Sequence, residues 1–414
     1  MGTRLSQIAQ IWWIRHQRSP ARVVRWLLLW ALMWTAILLA TPLALAGRLA
    51  GVRFLGINYR RIGHLAVEPD CFVKERALGL HRGVIPFACA PRNRVCNCAL
   101  LDCWKPHIRW ITAPWLCAAL KPLEWHPLLA FDVSSYAMEA KGEGGCGYVS
   151  IPRRWQGRNP VIALPDHVER AGAAALLQLG LPAGAWFACV HNREGSYSPL
   201  DEDWHSYRNC TIDSYVPAMR EIVDAGGWCI RIGDPSSTRL QALPNTIDYA
   251  HHALRTDWLD LYLLAHCRFF MGSSSGPFLV ACIFNRPVAL ANLTPIEVTL
   301  PYGYADLGIP KLMHRDGRAD RLGFVEMFEH PSSGYRFSEQ FAKEGLVLVD
   351  NSPDEIRDLA SEMLQRLQGA AIYTEDDERL QEAFKGLMRP SHASYGSASR
   401  VGRDFIRKHR RLLP

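Results

Sequence analysis

An α/β fold of doubly wound type, preceded by an apolar helix, is predicted by three observations. From residue 185 onward, short apolar runs alternate with segments of helical period. Several of those runs end at glycine- or serine-rich turns that lead into a helix, the pattern of βαβ units in a parallel sheet. In front of them stands an uncharged stretch of 22 residues, Trp26 to Gly47.

Charge sharpens this division. The 414-residue chain carries a formal +7, but residues 1–61 hold nine arginines and no acid. Arg400 to Arg411 adds six basic residues against Asp404 alone. Between them, residues 62–399 hold 32 basic and 39 acidic groups. A uniformly basic nucleic-acid binder is therefore excluded, since that function needs a basic face on the folded body. At 49% hydrophobic residues, a disordered chain is excluded as well. The length suits two domains of roughly 150 residues plus an extra segment.

The front segment reads WLLLWALMWTAILLATPLALAG. As one helix over about 26–47 it would extend roughly 33 Å, enough for a bilayer core. Arg22 and Arg25 precede it, Arg48 and Arg53 follow, and Trp26, Trp30 and Trp34 suit an interface. Ala44-Leu45-Ala46 also fits a cleavage site, but the 25 residues ahead of the apolar stretch are long for a signal peptide. A retained single-pass anchor is the expectation. Arginines on both sides leave its orientation open. Twelve cysteines without any C-x-x-C pair favour a reducing compartment, hence a cytoplasmic body at the inner membrane. Cys96, Cys98, Cys103 and His107 cluster, but the first spacing is too tight for the usual zinc pair. No metal is expected.

Element by element, residues 54–61 predict a strand ending in a turn, with Glu68 and Asp70 in an acidic stretch beyond it. Residues 81–160 show few clean periods. Residues 166–180 predict a helix capped by Asp166 and stopped by Gly180. Strands are predicted at 185–190, 228–232, 268–271, 287–291 and 346–349, and helices at 214–225, 259–266, 278–284 and 353–368. The organisation that follows is a basic N-terminus with anchor (1–50), a first half (51–182), a second half (183–351), and C-terminal helices with a basic tail (352–414).

Three places carry chemistry. After the strand Arg268 to Met271 come Gly272, Ser273, Ser274, Ser275 and Gly276, then Pro277 where a helix starts. Backbone N–H groups, hydroxyls and a helix start suit a phosphate. The loop His191 to Asn209 leaves the carboxyl end of a strand, where open α/β sheets hold ligands. There Arg193 and Arg208 can grip phosphate or carboxylate, and Glu194, Asp201 and Asp203 are candidate bases. Asp201-Glu202-Asp203 also matches a short metal-binding pattern. Third, Arg231 lies at the end of the next strand, and Asp248-Tyr249 could meet a base or ribose.

Together, the HNRE loop, RIGD, Asp248-Tyr249 and the SSSGP turn with Asn285-Arg286-Pro287-Val288 resemble the carboxy-terminal half of a GT-B glycosyltransferase. The layout is similar to fucosyltransferase-like enzymes among bacterial glycosyltransferases. The resemblance covers about 185–350 and reaches Arg61-Ile62-Gly63-His64-Leu65 in the first half. It implies two Rossmann-like domains facing a cleft. It implies that Arg193, in the H-x-R triplet, neutralises the donor diphosphate. It also implies that Ser274, Ser275 and Gly276 lie against the phosphates and that Gly63-His64 faces the acceptor. Glu194 departs from the family pattern, so GDP-fucose is not carried over. The expected function is an inverting, metal-independent transfer from a nucleotide sugar to a lipid-linked or cell-surface glycan, with no cofactor. Arg193, Arg231, Asp248, Ser274, Ser275 and Gly276 would bind the donor. His64, Glu194 or Asp201 would be the base. The alternatives are transfer of another group, such as pyruvyl, onto a glycan, or a non-catalytic membrane-tethered binding protein.

Overall fold

The computed structural model describes residues 20–137, 145–195, 203–301 and 303–414. Two parallel sheets organise it. The first contains β1 (Val52–Leu55), β2 (Ile85–Cys89), β3 (Arg109–Ile111) and β4 (Ala130–Phe131), in the order β3-β2-β1-β4. The segment 81–160 supplies most of it. Strands of two to five residues are too short to show an alternation in sequence. The strand expected at 54–61 ends at Leu55, and after a turn α3 (Ile62–Ala77) takes up the acidic stretch.

The second sheet holds β5 (Phe187–His191), β6 (Trp228–Arg231), β7 (Thr246–Ile247), β8 (Phe270–Gly272), β9 (Val288–Leu293), β10 (Leu307–Pro310) and β13 (Arg400–Val401). Their order is β13-β10-β9-β8-β5-β6-β7, every pairing parallel. Strands β8 and β9 are buried along their whole length, as covered parallel strands must be. The chain places β6 and β7 on one side of β5, then returns to lay β8 on the other. In the first sheet it likewise builds outward through β2 and β3 before returning to set β4 beside β1. Each sheet thus has a topological switch point, at β1/β4 and at β5/β8. The strand predicted at 346–349 forms instead an antiparallel pair, β11 (Leu312–Arg315) with β12 (Leu346–Val349).

One apolar core runs between the two sheets. It joins Leu65 and Phe72 of α3, Trp104 of α4 (Cys98–Trp104), Val168 of α8 (Asp166–Gln178), Leu263 of α10 (Asp257–His266) and Val280 of α11 (Pro277–Ile283). A second core covers the other face of the larger sheet. There Met219 of α9 (Val216–Asp224) meets Met363 of α12 (Pro353–Leu367) and Phe384 of α13 (Glu375–Gly386). The α12 start is a capping box, Ser352 with Glu355, and Thr374 with Asp377 does the same for α13. At α8 the expected cap is displaced by one residue. Pro165 holds the cap position and Asp166 lies in the first turn, where its charge still suits the dipole.

Two segments differ from expectation. The apolar front is not one helix. It is α1 (Pro20–Leu39) and α2 (Thr41–Leu49), bent by 51° at a break before Pro42, and among the described residues no single helix is long and apolar enough to cross a membrane. Pro42 lacks the N–H that would continue the ladder. The basic tail is folded rather than extended. Arg400 pairs with Glu378, Arg407 of α14 (Arg403–Lys408) with Asp377, and Lys408 and His409 with Glu355. Arg407 holds the Asp377 carboxyl down to about 2 against the effect of burial. Burial raises Glu355, but the His409 and Lys408 hydrogen bonds outweigh it and bring that group to about 2 as well. Outside β13, the Gln381 side chain donates to Val401 O (2.6 Å) and accepts from Val401 N (3.0 Å), closing the sheet edge.

Candidate functional site

Both switch points lead to the same place. β1 runs through Gly56 to Arg61 into α3, and β8 runs through Ser273 to Gly276 into α11. The two helix starts touch. A Cβ on Gly63 would stand 2.7 Å from Leu279 Cδ1 and 3.1 Å from Gly276 Cα. One on Gly276 would stand 2.7 Å from Ile62 Cγ2 and 3.0 Å from Gly63 N. Only glycine at both positions allows this approach. No side chain caps the first turn of α3, so its N–H groups and the positive end of its dipole face the junction.

Arginines gather here. The backbone N–H of Arg193, just past β5, donates to Ser273 Oγ (2.9 Å), and Ser273 N donates to His191 O (3.2 Å). Together they stitch the ends of β5 and β8. The Arg193 guanidinium lies against His205 O (3.3 Å) and Asn209 Oδ1. Arg208 donates from Nε (3.0 Å) and Nη2 to Ser274 O. Desolvation, together with the neighbouring charges of Arg193, Arg61 and Arg336, pushes the Arg208 guanidinium down to about 10. Arg208 thus lies within the field of three other guanidiniums. Arg336 is paired with Glu297, whereas Arg208 donates to the neutral carbonyl of Ser274. Half-buried His191 lies beside Arg193 at the end of β5. Desolvation, then Arg231 and Arg193, push its imidazole down to about 3, so it is neutral, and its Nδ1 has no partner among the described residues.

His64 stands in the first turn of α3, next to Gly63. Its Nδ1 lies 2.8 Å from Oε1 of Glu68, one turn on. Glu68 is buried, and its Oε2 accepts from Asn58 N (2.8 Å). A carboxylate can only accept, so Nδ1 carries a proton, and in the neutral imidazole Nε2 then presents its lone pair. His64 remains partly exposed.

The remaining predicted residues lie apart. Arg231 is 1% exposed and held between Asp248 Oδ1 (3.2 Å) and Glu194 Oε1 (3.7 Å). Glu194 also accepts from Asn192 Nδ2 (2.8 Å) and Thr238 N (2.6 Å). Asp248 Oδ2 accepts from Leu240 N (3.0 Å) and lies 2.8 Å from His251 Nδ1. This buried network braces the ends of β5, β6 and β7. It pairs Arg231 with Glu194 and Asp248, while Arg231 Nε has no hydrogen-bond partner among the described residues. Asp201 lies outside the described residues, and Asp203 is exposed. Among the described residues no group of three or more His, Cys, Asp or Glu is arranged to hold a metal, and His107 bonds to Val161 O (2.9 Å). Arg336 carried no sequence signal, because nothing in its local pattern shows that residues near 336 reach this junction. A cavity of about 430 Å³ lies elsewhere, lined by Lys74, Trp155 and Arg286 near the far ends of α3 and α11.

No protein-family model and no curated protein matches the chain. Among solved structures, the chain is similar to the E. coli ADP-heptose lipopolysaccharide heptosyltransferase II at 14% identity and TM-score 0.42, covering 77% of this chain and 100% of that one. It is similar to the iron-containing heptosyltransferase TibC, in complex with ADP-D-β-D-heptose, at 15% identity and TM-score 0.35, covering 62% of this chain and 59% of that one. A family 9 glycosyltransferase from Veillonella parvula shares 11% identity at TM-score 0.28, over 53% and 60%. The chain thus spans about three fifths of the length of the latter two. These are heptosyltransferases and a family 9 enzyme, not fucosyltransferase-like ones. At such scores the chemistry has to be taken from the geometry above.

Proposed function

We propose that the protein is a membrane-anchored glycosyltransferase of GT-B type, using a nucleotide-sugar donor and a lipid-linked or cell-surface glycan acceptor. The observation that carries this reading is the convergence of both switch points on one junction, with Arg61 at the head of α3, Arg193 bonded to Ser273 and Arg208 bonded to Ser274. Open α/β sheets hold ligands outside the carboxyl ends of their strands at a switch point. Guanidiniums there fit a diphosphate.

As the sugar leaves, negative charge grows on the β-phosphate of the departing nucleotide. Arg193 and Arg208 are fixed to the backbone before the reaction begins, so they stabilise that charge without having to reorganise. Guanidiniums do this without a metal. The attacking hydroxyl must lose its proton, and His64 Nε2 is the base we assign to it. Glu68 orients the imidazole through Nδ1 and stabilises the imidazolium that forms, the division of labour of a carboxylate–histidine pair. In this reading a direct attack of that hydroxyl on the sugar carbon, with the diphosphate leaving from the other face, gives inversion. All twelve cysteines are free, which suits a body on the cytoplasmic side of the inner membrane.

The test is a thermal-shift screen of the full chain with UDP, GDP, CDP, ADP and their sugars. At least one nucleoside diphosphate should raise Tm in a saturable way, and Arg193→Ala should remove the effect. If none shifts Tm, the transferase reading is to be dropped.

A further inference from the structure

We infer that α2, together with α5 (Pro114–Ala119), forms a rigid lipid-facing platform that seats the folded body flat on the bilayer, so the anchor is not a loose tether. This rests on the membrane-anchored reading given above.

The evidence begins with α2. A flexible tether would leave it clear of the body. Instead Ala44 is fully buried in a small apolar cluster with Phe54, Cys89, Cys117 and Leu129. Gly47 lies so close to Leu129 that an added Cβ would stand 3.3 Å from its Cδ2. At the bend, Thr41 Oγ1 lies 3.3 Å from His126 Nε2, and Ile37 at the end of α1 is buried. The bent pair is thus fastened to the first sheet at several points.

The other face of α2 is apolar and bare. Leu43, Leu45 and Leu49 are 62%, 50% and 82% exposed, an arrangement that water disfavours and lipid accepts. α5 packs on the same small cluster through Cys117 and leaves Trp115 73% exposed. Next to it, Lys121 lies over the Trp125 ring at 5.0 Å. Exposed leucines together with tryptophan, lysine and Arg48 on neighbouring helices make the composition of an element lying in a membrane interface. α1 continues the surface with exposed Leu27, Leu28, Leu29, Leu32 and Leu38, and Trp26, Trp30 and Trp34 stack along one stripe. The occupant these features fit is a phospholipid bilayer with anionic headgroups, not a second protein.

The experiment uses the full chain, expressed in its membrane. A p-benzoylphenylalanine photo-crosslinker is placed, one position per variant, at Leu32, Leu45, Trp115 or Ile372. All four positions are exposed, so the folded body should be preserved, and the melting temperature verifies this. The expected result is lipid adducts from positions 32, 45 and 115 and none from 372. Adducts from 32 without any from 45 and 115 would overturn the platform while leaving the anchor in place. No adduct from 32, with release of the protein by alkaline carbonate, would overturn the anchored reading itself. Adducts of equal yield at 372 would show that the labelling is indiscriminate and overturn the inference.

Discussion

Gly276→Ala tests the junction at its tightest point. The new methyl carbon would stand 2.7 Å from Ile62 Cγ2 and 3.0 Å from Gly63 N. Ordinary contact needs about 3.4 Å, so α3 and α11 must separate by several tenths of an ångström. Part of the obstruction is backbone, which cannot rotate aside. Overpacking of this kind costs about 1–3 kcal/mol. At about 2–4 °C per kcal/mol for domains of 150–250 residues, Tm should fall by roughly 2–12 °C. The separation also carries Arg61, at the head of α3, away from Arg193 and Arg208 on the second sheet. Nucleoside-diphosphate affinity should therefore fall with stability, in a titration held well below the new Tm. Gly63→Ala strikes the same seam from the other side. Once one methyl has opened it, the second costs less, so the double variant should be less destabilised than the sum of the singles by about 0.5 kcal/mol or more. Full additivity, or an unchanged Tm in both singles, would show that the glycine contact is slack and that the two helix starts are not held together by it.

Three further outcomes follow from the same geometry. Arg193→Gln and Arg208→Gln each remove a charge-assisted contact of about 1.5–3 kcal/mol, so Kd for the nucleoside diphosphate should rise roughly 10- to 100-fold by calorimetry, and its salt dependence should flatten. His64→Gln should lower kcat by about 10²–10⁴ in a transfer assay while leaving KM for the donor nearly unchanged; a proportional rise in KM would assign His64 to binding instead. The third concerns acid. Asp377 and Glu355 are each held down to about 2 in the folded state, below their ordinary values, so the stability they contribute is complete above roughly pH 4.5 and is lost as pH falls toward 2. Tm should drop through that window, and Asp377→Asn combined with Glu355→Gln should lower Tm at pH 7 and flatten the acid limb.

Much of the second half was legible in the sequence because its central strands are almost wholly buried. β5, β6, β8 and β9 appear as continuous apolar runs bounded by loops, which leaves little room for another reading. The first half was not, because strands such as Ala130–Phe131 take their identity from neighbours and not from their own pattern. At the site, Arg193, Ser274, Gly276 and His64 could be picked out since each follows a strand or opens a helix. Arg231, Glu194 and Asp248 looked equally suited. Sequence shows that these charges fall at strand ends but not that they neutralise one another in the interior. The bend at Ala40 was foreshadowed by Pro42, which composition alone does not weigh.

The pairing of β13 with β10 has a consequence in time. Ninety residues separate Pro310 from Arg400, so β10 is synthesised well before the strand that covers it. At about 5–20 residues per second, that edge stays open for roughly 5–18 s on the ribosome. It is wholly apolar in its side chains apart from Gly308, and an open edge of that kind invites pairing with another chain. Gln381, which finally seals β13, is also made late. The protein is thus most vulnerable to misassembly during this interval. Substitutions that loosen residues 400–408 should lower the yield of soluble folded protein before they alter any activity of the mature molecule.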